Sequence, residues 1–119
     1  MQYLIIAGCS DAITEALTEA IKSKYLILAC KNRDELDLLL DGLHSYILII
    51  DLFLYETEAI RIIGKHNQRP NVVLALTYTI SQAIIDRAHS VGVHQLLLLP
   101  CTMEYILDQL ALLTQGHNI

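Results

Sequence analysis

The sequence predicts an α/β fold in which five parallel strands form one sheet wound on both faces by helices, and three observations carry that expectation. Five short apolar runs, QYLIIAG, YLILAC, SYILIID, NVVLALT and VHQLLLLP, recur along the chain. Stretches with helical spacing separate them, so the rhythm is strand then helix, five times over. Within the runs the hydrophobicity is continuous rather than alternating, as it is in strands covered on both faces. The apolar share, 54% with a mean hydropathy of +0.44, exceeds the ~45–50% usual for globular chains and fits a sheet sealed from water on both sides.

The linking segments carry readable helix signals. SDAITEALTEAIKSK places Ile13, Leu17 and Ala20–Ile21 on one face, with Glu15, Thr18, Glu19 and Lys22 outside. NRDELDLLLDG opens on Asn32 with Glu35 three residues on, a cap, and Gly42 is the expected C-terminal stop. In ETEAIRIIGKHNQRP, Pro70 forces a stop before the fourth strand, while Gly64 costs roughly 1 kcal/mol relative to Ala in a helix interior. TISQAIIDRAHSVG is read as beginning at Thr79 with Gln82 and ending at Gly92. The last helix, TMEYILDQLALLTQ, spreads Met103, Ile106, Leu107, Leu110, Leu112 and Leu113 over more than one face, so only part of it can lie on the sheet.

The 119 residues are expected to make one domain, residues 1–119, around one core. Right-handed crossovers and two-sided cover favour the flavodoxin-like strand order 2-1-3-4-5. In that order chemistry sits at the C-terminal strand edge between strands one and three, where Gly8–Asp11 and Asp51 would meet. Asp51 stands out because it is the one polar residue closing the otherwise apolar run YILIID.

Composition excludes several function classes. A net charge of −5, with scattered cations and none beyond Arg87, argues against nucleic-acid binding through this domain, since backbone phosphates demand clustered Lys and Arg. The apolar runs are far shorter than the roughly 20 residues of a membrane span, and MQYLIIAG lacks a basic leader, so a cytoplasmic location without membrane contact is expected. Cys9, Cys30 and Cys101 form no CxxC pair and read as small buried hydrophobes. His44, His66, His89, His94 and His117 make no HxxxH or HExxH pair, so no metal site is expected from them. No Ser-His-Asp set follows from the linear spacing.

With Asp51 closing the third strand, Thr77 closing the fourth, and GVHQLLLLP ending in Leu99-Pro100, the whole chain resembles a response-regulator receiver domain of the CheY-like superfamily. The resemblance implies that Asp51 is the phosphoacceptor, Thr77 the switch hydroxyl, and a histidine kinase or another signalling protein the partner. It also exposes departures. Ala7 and Gly8 occupy the positions of the acidic pair that holds Mg²⁺, so no cofactor is expected beyond weak Mg²⁺ binding at Asp51. Asp11, three residues on, is left with at most an indirect role through water. Leu99 replaces the lysine that would stabilise phosphoryl oxygens, and Leu96 replaces the switch aromatic. The stretch DLFLYETEA after Asp51 has neither the Pro nor the Gly that the family places in its loop.

The reading from these residues is a degenerate, or pseudo-, receiver in signal transduction, not an enzyme, that works by protein contact. Ile84, Leu96, Leu107 and Leu110, together with Ile80 and Ile85, are the candidates for a homodimer surface on the fourth helix, fifth strand and fifth helix. One alternative is a working receiver that phosphorylates Asp51. Another is a phosphocysteine carrier using Cys9 ahead of a helix N-terminus. Flavin binding is weaker still, because GCSDAIT has Ser10 and Thr14 but no second glycine. Whether the chain stands alone or precedes an output domain is not legible.

Overall fold

The computed structural model describes residues 1–66 and 72–115, and for residues 53–58 the backbone only. In chain order the elements are β1 (Gln2–Ala7), α1 (Asp11–Ile21), β2 (Tyr25–Cys30), α2 (Arg33–Gly42), β3 (Ile47–Asp51), α3 (Leu52–Lys65), β4 (Val72–Thr77), α4 (Gln82–Ser90), β5 (Gln95–Leu98) and α5 (Met103–Gln115). The strands form one sheet in the order β2-β1-β3-β4-β5, with all four pairings parallel. This is the expected doubly wound architecture. The expected stop at Pro70 lies outside the described residues.

The continuous apolar runs have the two-sided burial that they imply. On one face Ile5, Leu48, Ile50, Val73 and Ala75 pack beneath α2, α3 and α4, which contribute Leu36, Leu40, Ile62, Ile63 and Ala88. On the other, Leu4, Ile6, Ile47, Ile49, Leu74, Leu76 and Leu97 meet Leu17 and Ile21 of α1 and Ile106 and Leu110 of α5. Each fully buried Leu or Ile contributes about 1.5–3 kcal/mol relative to an exposed one, so the central strands β1, β3 and β4 anchor both cores. Leu110 is only 3% exposed. It belongs to the core, and as an interface residue it is corrected.

Side-chain caps start four of the helices. Ser10 accepts from the Ile13 amide at 3.2 Å, Asn32 from Glu35 at 2.8 Å and Thr102 from Tyr105 at 3.0 Å. For α4 the cap is Ser81, accepting from the Ile84 amide at 3.2 Å, and not Thr79. The Thr79 hydroxyl register loses because Tyr78 to Ser81 form the turn out of β4, which places Ile80 in that turn instead of on the helix. At the other end α4 stops at Ser90, with Gly92 just beyond it. Gly42 behaves otherwise: it is the last helical residue of α2, and the extended Leu43 after it closes the helix. In α1, Ala20 is exposed while Ile21 is buried, so the apolar stripe is narrower than expected.

Gly64 has a packing reason. A Cβ there would stand 3.1 Å from Val91 Cγ1, so the bare backbone lets α3 approach the end of α4. Its helix-propensity cost of roughly 1 kcal/mol is the cost of that close approach. Within the layer of α2, α3 and α4, Asp37 in the middle of α2 binds Lys65 Nζ at 3.0 Å and His66 Nε2 at 2.9 Å, tying α2 to the end of α3. Among the described residues no helix is long and apolar enough to cross a membrane.

Candidate functional site

Parallel winding carries the ends of β1, β3 and β4 to one edge of the sheet, and the residues there decide what chemistry is available. Asp51 is the last residue of β3, paired in register with Leu76, and is 5% exposed. The α3 helix begins at Leu52, directly after it, so no loop intervenes where DLFLYETEA suggested one. Ala7 ends β1 in register with Ile50 and Cys30, and is wholly buried. Gly8 follows with φ 68°, a left-handed backbone natural to glycine, and its amide donates to the Cys30 carbonyl at 3.0 Å.

Cys9 reaches Asp51 from the next position. Its thiol is 5% exposed, donates to the Ala7 carbonyl at 3.7 Å and is pushed up to about 12. Burial is the main cause and the Asp51 carboxylate the second, partly offset by a hydrogen bond from the Asp51 backbone. The expected meeting of the first strand-to-helix turn with Asp51 is therefore present. A thiol so buried and so weakly acidic is held protonated at neutral pH, which disfavours nucleophilic attack from Cys9. Cys30 is likewise buried and raised to about 11, chiefly by burial and then by Glu35.

Beyond β5, Leu99 is 5% exposed and packs in the same core cluster as Cys9 and Ile6. Its amide donates to the Thr77 carbonyl at 2.7 Å, continuing the β4–β5 ladder, and the Leu99–Pro100 bond is cis. Thr77 is 4% exposed, and its hydroxyl is engaged locally: it donates to the Thr79 carbonyl at 2.9 Å and accepts from the Thr79 amide at 3.3 Å. Asp11 does not face inward. Its carboxylate is ion-paired on the surface with Lys31, whose ammonium is held above its usual range by that hydrogen bond.

The architecture matches solved structures closely. A CheY-like receiver domain protein from Methanospirillum hungatei JF-1 superposes with a TM-score of 0.87 at 12% identity, over 99% of this chain and 97% of its own. A two-component response regulator from Clostridium difficile gives 0.86 at 14% identity, with 100% of both chains covered. The chain has the receiver fold. A response regulator from Burkholderia pseudomallei, solved with a phosphorylated aspartic acid, a calcium ion and citrate, gives a TM-score of 0.75 at 21% identity over 90% of this chain. This chain spans 65% of that protein's length. No family model matches the sequence, and no curated protein matches it significantly.

Asp51 stands at the end of β3, where the resemblance read from the sequence implies a phosphoacceptor. The donor set around it does not fit Mg²⁺. The ion wants an octahedron of hard oxygens, whereas Ala7 and Gly8 bring no side-chain oxygen and Cys9 and Leu99 bring sulfur and hydrocarbon. Among the described residues no group of three or more His, Cys, Asp and Glu side chains is arranged to hold a metal. Leu96 is half-buried against the α2–α3–α4 core and pairs with Ala75.

The four leucine and isoleucine candidates for a contact surface fare differently from what the sequence suggests. Leu110 is core, while Ile84, Leu96 and Leu107 are half-buried. The exposed apolar side chains near that face are Tyr78 and Ile80 in the β4–α4 turn, Leu98 at the end of β5 and Tyr105 in the first turn of α5, at 51%, 43%, 50% and 46% exposure. Sequence reasoning missed three of them. The signal available was weak: Tyr78 follows the last residue of a strand, and Tyr105 sits three residues past Thr102, the cap of the final helix.

Proposed function

We propose that this chain is a regulatory domain of the receiver type in signal transduction, with its phosphoryl pocket closed, that acts by protein contact instead of by a phosphoaspartate. The observation that carries the proposal is the burial of Asp51, 5% exposed beside the equally buried Cys9, with Leu99 turned into the apolar cluster that Cys9 joins. Phosphoryl transfer rests on positioning and on metal and cation electrostatics, and removing a single stabilising group commonly costs about 2.7–4 kcal/mol in barrier. Here the acidic pair and the lysine are all absent, and the acceptor carboxylate is shielded from a donor in solution.

Contact through the α4–β5–α5 side is supported by the four exposed apolar residues Tyr78, Ile80, Leu98 and Tyr105, which stand on the β4–α4 turn, the end of the edge strand β5 and the first turn of α5. We assign them to a homodimer, with a histidine kinase or another signalling protein as the further partner class, in a reduced cytoplasm that suits three free cysteines. The test is intact-mass spectrometry after incubation with acetyl phosphate and Mg²⁺, on native protein and Asp51→Asn, with light scattering on the same samples. The expected result is no phosphoryl adduct on either and a dimer in both. An adduct on native protein that Asp51→Asn removes would establish a working receiver and overturn the closed-pocket reading.

A further inference from the structure

At the N-terminal edge of the sheet, opposite Asp51, a groove of about 290 Å³ opens between the end of α1, the start of β2 and the last turns of α5. Its floor is apolar, formed by Ile21, Leu107 and Leu110. Its rim carries four polar side chains: that of Thr114 donates to the Leu110 carbonyl, whereas those of Lys24, Tyr25 and Gln115 make no hydrogen bond or ion pair with another described residue. Lys24 and Gln115 are exposed and Tyr25 is half-buried, so all three donors are free to turn onto a molecule seated on the floor.

Charge selects the class of ligand. The acid nearest in sequence, Glu19, is already paired with Lys22 at 3.0 Å, which leaves the Lys24 ammonium as an unbalanced positive charge on a chain of net charge −5. The volume stands at the low end of the roughly 300–1,000 Å³ of small-molecule sites, so the recess suits a fragment-sized molecule and not a cofactor. We propose that this groove binds a small carboxylate-bearing amphiphile, its apolar part on Ile21, Leu107 and Leu110 and its carboxylate on Lys24, with the Tyr25 hydroxyl and Gln115 amide completing the anion's hydrogen bonds. The proposal goes beyond the receiver reading and does not rest on it, because no residue of the groove belongs to the Asp51 edge.

The ligand would bridge α1 and α5, the two helices that cover one sheet face, and so would stabilise the native state by mass action. The test is a nitrogen-15 NMR titration of the whole chain with octanoate, with octanol and octylamine as matched probes. Saturable shifts at Ile21, Tyr25 and Ala111 with octanoate are expected, weakened about tenfold in Lys24→Gln as befits the loss of one charged hydrogen bond. Ala111→Phe, on the exposed wall of the groove, is expected to abolish them while thermal unfolding shows the variant folded. The proposal is overturned if octanoate gives no saturable shift, if octanol or octylamine matches it, if Lys24→Gln binds unchanged, or if the shifts fall only at Tyr78 and Leu98. Shifts of the groove amides on dilution of ligand-free protein would assign the recess to a second copy of the chain and likewise overturn it. None of these outcomes bears on whether Asp51 accepts phosphate.

Discussion

Asp51 is 5% exposed with the buried Cys9 thiol beside it, and Leu99 turns into the same core cluster as Cys9, so packing sets the surroundings of the β3 end. The same burial governs the thiols. With Cys9 raised to about 12 and Cys30 to about 11, both buried, while Cys101 is half-buried and raised by a lesser burial, iodoacetamide at mildly alkaline pH is expected to label Cys101 first. Peptide mapping checks this, and early labelling of Cys9 in folded protein would mean that the pocket beside Asp51 is open. At this scale the sequence already names Ala7, Gly8 and Leu99, which are read directly at strand ends. It does not reveal that Leu99 turns inward, because the run LLLLP contains no polar residue to mark which face is which.

Helix α5 shows how far an element can be read from its pattern. Its leucines cover more than one face, and the sequence alone leaves open which of them meet the sheet; in the fold Leu110 is 3% and Leu112 64% exposed. Leu110→Ala is therefore expected to cost about 2–5 kcal/mol, and Leu112→Ala to stay within about 0.5 kcal/mol, in urea unfolding. Similar losses at both positions would contradict the assigned face. Between α2 and α3 the tie is electrostatic: hydrogen bonds from His66 first, and from Lys65 second, hold the Asp37 carboxyl below its usual range. A depressed carboxyl contributes stability that is complete above its unfolded-chain value and is lost as pH falls through its lower folded value. The stability gap between native protein and Asp37→Asn is thus expected to shrink steadily on acidification, and a gap independent of pH would show that the contact contributes nothing. Caps were partly legible: Asn32 was found where Glu35 follows it, whereas Ser81 was masked by the competing Thr79 two residues earlier, a choice made by where β4 ends.

For the whole molecule, the exposed residues Tyr78, Ile80, Leu98 and Tyr105 lie on elements brought side by side only by the parallel order of β4 and β5. Leu98→Glu is expected to convert the proposed dimer to monomer in light scattering without loss of cooperative unfolding, since a half-exposed position tolerates charge. A dimer that survives the substitution would move the interface elsewhere. By itself the sequence determined the class, the number and order of strands and helices, and which residues, Ala7, Gly8, Asp51 and Leu99, stand at the strand ends, because periodicity and residue identity are local properties. Only the tertiary structure decided that Cys9 lies beside a buried Asp51, that Leu99 turns into the core, that Asp11 turns out to Lys31, and that Leu110 is core while Leu98 is surface. Those outcomes depend on packing between residues distant in sequence, where each side chain's environment is set by strands and helices that its own neighbours do not specify.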